Sequence, residues 1–441
     1  MNTVPRLVGI TALATGLLQA PANAQSPSPS DTATVSYMVS GLRVIQRRTT
    51  ASIVVANLYL LGGVRQGTSR TAGVENFLLT VGSRGTQKYP RDVLRRALAR
   101  TGSEIPVAAD EDWTLVSIHT TATEFDSTWS IFADEIMHPT LDSADVEFVR
   151  DQLVSGVRQR ADSPDATLDY LSDSIAYAGT PYALSPVGTE ASLSRITRAE
   201  LRAYERDEMV TSRMLLVIIG NVPRAKVEAL VDGTLGKLPA GQYAWTMPDT
   251  LPTRPADVIF DQRPLPTNYI QGFINGPPAN SRDVPALRIA AAVLSGRMFA
   301  EIRSRRNLTY AVSANMDDDR ALTPIELYVT TTSPDTTVAL MSDEVHELQE
   351  GEIETERLRP LVQQFITKYF LDNETITAQA DFLARNQLYH GDFRAGARFV
   401  ADLKAVTGAD VRRVARTYFK NVRWAYVGDP SRIKLDRLLL F

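Results

Sequence analysis

A strand-and-turn unit occurs twice in this chain, half its length apart: RMLLVIIGN at residues 213–221 and RWAYVGD at 423–429. Each is a short apolar run closed by Gly and then Asn or Asp, the pattern of a buried strand ending in a tight turn. Similar orders of elements lead up to both. In the first half, strand patterns at 35–41, 42–47 and 53–61 precede helical spacing around Val74, Phe77, Leu78 and Val81 and again at 90–99. A strand pattern at 113–120 and helical patterns at 126–137 and 143–159 follow, and Thr197-x-x-Glu200 is a capping box with Ile196 placed to staple onto Leu201. In the second half, strands are expected at 258–262, 269–274, 310–316 and 325–331, and helices at 285–303, 336–350, 356–371 and 408–418. Between the halves, residues 238–255 hold four Pro and a Gly, a linker composition expected to make few contacts with either core. The economical reading is a duplicated α+β unit, divided as 32–238, a linker 239–254, and 255–441.

Composition narrows the chemistry. With Lys+Arg 47 against Asp+Glu 51, the chain has no basic footprint for a nucleic acid. It has no Cys, so disulfides, thiol nucleophiles, Cys-ligated zinc and iron–sulfur clusters are excluded together. The first 24 residues read as a cleaved export signal: Arg6, then an apolar stretch from Leu7 to Leu18, then Ala22-Asn23-Ala24. Cleavage after Ala24 would leave residues 25–31 as a flexible lead-in and place the product in a periplasm or outside the cell. No transmembrane segment is expected, because the apolar runs are too short to span a bilayer.

Three segments carry a family resemblance that covers nearly the whole mature chain. GVENFLLTVGSRGT at 73–86 resembles the G-[LV]-A-H-F-L-E-H-M-x-F-x-G-T motif of the pitrilysin/insulinase-type (M16) zinc peptidases, with Gly73, Phe77, Leu78, Gly85 and Thr86 matching. RDQLVSGVRQRADSPD at 150–165 is similar to the family's R-E-V-V-L-E-E-I segment, and FAEIRSRRNLTYAVSA at 299–314 to F-x-E-I-R-E-K-R-G-L-A-Y-S-V-S-A. The resemblance implies two homologous domains, each a mostly antiparallel sheet covered by helices on one face, facing each other across a concave cleft.

It also implies a zinc site, and here the chain departs from the pattern. H-x-x-E-H on a helix sets two His one turn apart on one face for a single zinc, with the Glu as base for the metal-bound water and a distant Glu completing the set. The His positions are Asn76 and Thr80, the base position is Leu79, and the distant ligand position is Gly156. All four are unsuitable types, so no metal is expected in this chain. The four His rebuild nothing: Glu135 with His138, and His346 with Glu350, supply two ligands each where zinc needs three or four, and His119 reads as a sheet-face residue. Asp317, Asp318 and Asp319 lack the Gly and bidentate Glu of a calcium loop and read as a solvated turn.

In the family, a G-G-x-x-N-A-x-T segment is the edge strand on which peptide is laid. Its counterpart here is TGSEIPVA at 101–108, with Ile105 and Pro106 at the Asn-Ala positions. Pro106 either removes a hydrogen bond from an added strand or merely blunts the edge.

The family's Arg and Tyr, which reach the zinc site from the opposite domain and steady the substrate carbonyl, correspond to Arg303 and Tyr310. On spacing alone the better reading is a helix-end Arg paired with an acid and a strand Tyr filling the core; it is the surrounding motif that brings in the functional one. The Gly-rich stretch preceding the motif is shortened to SGRMF at 295–299. In the dimeric branch of the family, one subunit carries the zinc motif and its relative only the Arg/Tyr pair. The resemblance therefore implies a non-catalytic subunit pairing with a zinc-bearing homologue, or with itself, around a peptide. The competing reading is a purely structural, core-type assembly subunit that handles no peptide. A lone enzyme using other residues has no triad signature or acid pair behind it.

Overall fold

The computed structural model describes residues 34–440, so the expected export signal, cleavage site and lead-in all lie outside the described residues. The first half runs β1 (Thr34–Val39), β2 (Leu42–Arg48), β3 (Ile53–Leu61), α1 (Val74–Gly82), α2 (Arg91–Thr101), β4 (Val107–Ala109), β5 (Trp113–Thr121), α3 (Phe125–Met137), α4 (Ser143–Asp162), α5 (Pro164–Ala176), α6 (Glu190–Leu193), α7 (Arg198–Glu208), β6 (Met214–Gly220) and α8 (Arg224–Gly233). The second half runs β7 (Asp257–Gln262), β8 (Asn268–Ile274), α9 (Val284–Met298), β9 (Thr309–Met316), β10 (Ile325–Thr331), α10 (Pro334–Glu350), α11 (Thr355–Asp372), α12 (Ile376–His390), α13 (Phe399–Lys404), α14 (Gly408–Tyr418), β11 (Arg423–Gly428) and α15 (Leu435–Leu439).

The two sheets have one topology. Their orders are β1-β2-β6-β3-β5-β4 and β7-β11-β8-β10-β9, so the second repeats the first without its outermost strand. In both, the closing strand pairs parallel to the opening one (β2 with β6, β7 with β11), and the remaining pairs are antiparallel. The recurrent glycines have a shared cause. Gly220 and Gly428 sit at φ 150° and 151°, and a Cβ would meet Val54 Cα at 2.9 Å in one case and Asn268 Oδ1 at 2.4 Å in the other. The helix before each closing strand opens with a reciprocal Thr cap. Thr197 Oγ1 accepts from the Glu200 N–H at 3.2 Å while Glu200 accepts from the Thr197 N–H at 2.8 Å, and Thr407 with Asp410 repeats the arrangement.

Each sheet buries one face under its own helices, as strand alternation requires. Val54, Ala56, Leu58 and Leu60 of β3 meet Phe77, Trp129 and Phe132, while in the second half Leu327 and Val329 meet the α9 and α10 side chains. The opposite faces are not left bare, which the sequence reading did not foresee. They receive a helix from the other half: α12 lies on β3 and β6 through Leu383, Ala384 and Leu388, and α5 lies on β8 and β11 through Leu168.

Polar groups stitch the same seam. Arg320, after β9, reaches Asp173 of α5 at 2.8 Å and Glu111 at 3.5 Å, and Asp112 accepts from the hydroxyls of Tyr182 (2.6 Å) and Tyr389 (3.1 Å) and from the Ala321 N–H (2.7 Å). The inter-half segment also departs from expectation, because it is packed rather than loose. Trp245 donates to the Leu388 carbonyl at 2.9 Å and carries the Arg65 guanidinium over its ring, and Leu251 is buried. Pro and Gly there shape a strap whose apolar side chains fill the junction.

Candidate functional site

Helix α1 carries three of the four degenerate positions, Asn76, Leu79 and Thr80, between α4 and the edge strand β4. Leu79, at the base position, is buried in the first-half core with Phe77 and Leu78. Asn76 is buried, and the Thr80 hydroxyl is turned back on its own helix, donating to the Asn76 carbonyl at 2.7 Å. Gly156 lies on the exposed side of α4, with open space where a side chain would stand. A hydrocarbon, a committed hydroxyl and a missing side chain do not make a zinc donor set, so these positions do not fit the metal that the motif serves elsewhere.

The acid next to them is also committed. Glu75 is buried and accepts from Arg213 Nη2 at 2.7 Å and from the Tyr204 hydroxyl at 2.9 Å. Burial, and then the Glu75 charge, push the Tyr204 phenol well above its ordinary value, so it remains the donor.

Elsewhere the acid–His neighbours part company. His138 pairs with Asp134 at 2.9 Å, while Glu135 points inward, its carboxyl pushed up to about 8 by burial and then by the Asp134 charge. Glu350 pairs with Arg416 rather than serving His346. His119 lies on β5 in the sheet. Asp317, Asp318 and Asp319 each take an arginine (Arg320, Arg288 and Arg385), so they are a charge-paired turn at the seam instead of a solvated one. Among the described residues no group of three or more His, Asp or Glu is arranged to hold a metal ion.

The edge strand needs a correction. Glu104 exchanges backbone bonds with His119 (3.2 and 3.1 Å), Pro106 accepts from the Ser117 N–H at 3.1 Å, and the Asp110 N–H reaches the Trp113 carbonyl at 2.9 Å. Even-numbered residues thus face β5, and the bond that Pro106 lacks is an inner one. The outward N–H groups belong to Ile105, Val107 and Ala109, so Pro106 does not remove a donor from the free edge.

In the second half the expected helix through Arg303 changes character. α9 stops at Met298 and continues as a π-helical turn, Phe299–Arg305, a form concentrated at functional sites. Tyr310 follows on β9, the edge strand of its sheet, and is 82% exposed. The Arg303 guanidinium is 4.7 Å from the Tyr310 ring centroid and 4.9 Å from that of Phe299. Among the described residues Arg303 has no carboxylate within ion-pair distance, whereas Arg305 and Arg306 both engage Glu301. Arg303 is therefore not an acid-paired helix end, nor is Tyr310 a core residue. Sequence reading noted Phe299 only as the first residue of the F-x-E-I-R resemblance and gave it no role beside Arg303, which lies one helical turn further on.

Residues 43–190 match the description "Insulinase (Peptidase family M16)", and residues 195–365 match "Peptidase M16 inactive domain". The chain belongs to the M16 peptidase family. Cytochrome b-c1 complex subunit 1 of Caenorhabditis elegans is 23% identical over 90% of this chain and 88% of its own length. An uncharacterized zinc protease of Mycobacterium leprae is 22% identical over 63% of this chain and 64% of its own. Among solved structures, a peptidase M16 inactive domain from Pseudomonas fluorescens superposes with a TM-score of 0.80 at 17% identity, over 91% of this chain and 99% of that one. A protease from Helicobacter pylori has the same TM-score at 15% identity, over 90% and 99%. The relatives thus include both a protein named a zinc protease and a protein named a subunit of the cytochrome b-c1 complex.

Proposed function

We propose that this chain is an exported, non-catalytic M16 subunit. It pairs with a zinc-bearing homologue, or with a second copy of itself, and supplies Arg303 and Tyr310 to a peptide held in the shared chamber. The observation that carries the reading is the pairing of a free guanidinium and an exposed phenol on an edge strand, in a chain whose own zinc positions are Asn76, Leu79, Thr80 and Gly156. A guanidinium gives charge-assisted bonds to a carbonyl or carboxylate, and a phenol donates to an oxygen as it gains charge in the transition state. Zinc comes only from the partner, so elemental analysis of the purified chain returns no stoichiometric metal.

The test is reconstitution with an exported homologue that keeps H-x-x-E-H. Tyr310→Phe removes one hydroxyl from a solvent-facing ring and lowers turnover of the mixed complex ~10²–10³-fold while leaving the chain's unfolding midpoint in place. Normal turnover with both Tyr310→Phe and Arg303→Ala would refute the assisting role. The 23% identity to a cytochrome b-c1 subunit over 90% of this chain favours a second reading, a structural core-type subunit without peptide handling. On that reading the complex assembles and the two substitutions change nothing but the surface.

A further inference from the structure

The duplication sets two corresponding places side by side. In the first half, the region between the start of α1, the loop after α5, and α7 is nearly full: Glu75 brings its own carboxylate to Arg213 and Tyr204, and about 20 Å³ remains. In the second half, the corresponding region between the start of α9, α12 with the loop after it, and α14 is a cavity of about 780 Å³. That is within the size range of small-molecule pockets. α9 opens on Val284, Pro285 and Ala286, and the carboxylate just ahead of it, Asp283, accepts from Arg413 (2.8 Å) and from the Tyr418 hydroxyl (3.0 Å), as Glu75 accepts from Arg213 and Tyr204.

Cations line the cavity. Of its five arginines, Arg288 pairs with Asp318 at 2.6 Å, Arg413 with Asp283 at 2.8 Å, and Arg385 with Asp319. Arg282 and Arg398 make no ion pair among the described residues, and the one lining acid without such a pair is Asp402. His390 lies beside them, and Phe382, Phe399, Leu403 and Val406 give an apolar wall.

We propose that this second-half cavity binds a small organic anion, with a carboxylate or phosphate head on Arg282 and Arg398 and its body against the apolar wall. Guanidinium pairs with either head are charge-assisted and geometrically selective.

The full chain is titrated by calorimetry with 1-naphthoate and 1-naphthyl phosphate, which share a body, and with neutral 1-naphthalenemethanol, all at fixed ionic strength. Saturable one-to-one binding of at least one anion is expected, weakened tenfold or more in Arg282→Ala/Arg398→Ala and unchanged in Arg357→Ala/Arg359→Ala on α11. The stronger of the two anions identifies the head. Absence of saturable binding by both anions, equal binding of the neutral analogue, or unchanged binding in the Arg282/Arg398 variant overturns the proposal. Both positions are solvent-facing, so the variant keeps the wild-type unfolding midpoint and its result reads on binding.

Discussion

The two halves repeat one topology and spend their polar residues in opposite ways. In the first half the chemistry-bearing positions of α1 are turned inward: Leu79 into the core, Thr80 onto its own backbone, Glu75 onto buried Arg213. In the second, Arg303, Tyr310 and Arg282 are left without an acid partner at the surface or on a cavity wall. The difference shows how a duplicated fold can keep its scaffold while one copy converts its site into structure and the other keeps free groups. Breaking a buried ion pair leaves an uncompensated charge, whereas an exposed guanidinium contributes little to stability and is free to act on something else.

The comparison breaks most severely at Arg213. Arg213→Ala strips the buried Glu75 carboxylate of its charge partner and Tyr204 of a neighbour, with an expected loss of ~3–5 kcal/mol in chemical denaturation. Removing Glu75 in the same chain (Glu75→Leu with Arg213→Met) should recover most of that loss, since no unpaired charge then remains buried. A loss below ~1 kcal/mol for Arg213→Ala would mean that the first half is not held by this network.

A smaller effect sharpens the second half. Phe299→Ala takes one ring from the stack that positions Arg303, and an exposed cation–π contact is worth ~0.5–1 kcal/mol. Turnover of the mixed complex should fall ~2–5-fold with little change in KM, and Phe299→Tyr should restore it. No recovery with Tyr would show that the stack does not position the guanidinium.

A pH-dependent effect lies at the seam. Burial, and then the Asp317 charge, push the Glu326 carboxyl up to about 7, and burial pushes Asp317 up to about 6 against the opposing charge of Arg320. A carboxyl raised in the folded state binds its proton more tightly there than in the unfolded chain. Its contribution is complete below the unfolded value, near 4.5 for Glu326, and is lost as pH rises through about 7. The unfolding free energy of wild type minus that of Glu326→Gln should therefore decline from pH 5 to pH 8, measured by denaturant titration at each pH. A difference that grows with pH would reverse the assignment.

Much of this molecule was legible before any coordinates. Alternation and apolar runs located β3, β5, β6 and β11, because side-chain period and apolar content are properties of the segment itself. Thr197-x-x-Glu200 located the start of α7, because a capping box is a contact between neighbours in sequence. The framework of the GVENFLLTVGSRGT motif named Asn76, Leu79 and Thr80 as positions without metal chemistry, since donor type is a property of the residue itself.

Among the helices absent from the sequence reading, α5 and α12 are the ones that lie on the other half's sheet. Their patterns mix apolar residues with acids, and those acids find partners only across the seam: Asp165 with the Tyr328 hydroxyl, Asp173 with Arg320, Asp381 with Asn57 and Tyr59. The inward orientation of Pro106 was hidden for the same reason, because which side of an edge strand a residue faces is set by its register with β5. Residue type and local spacing thus determined the duplication, the strand ends and the loss of metal donors. Only the tertiary structure decided which polar groups are consumed and which stay free, because that depends on partners more than a hundred residues away in the chain.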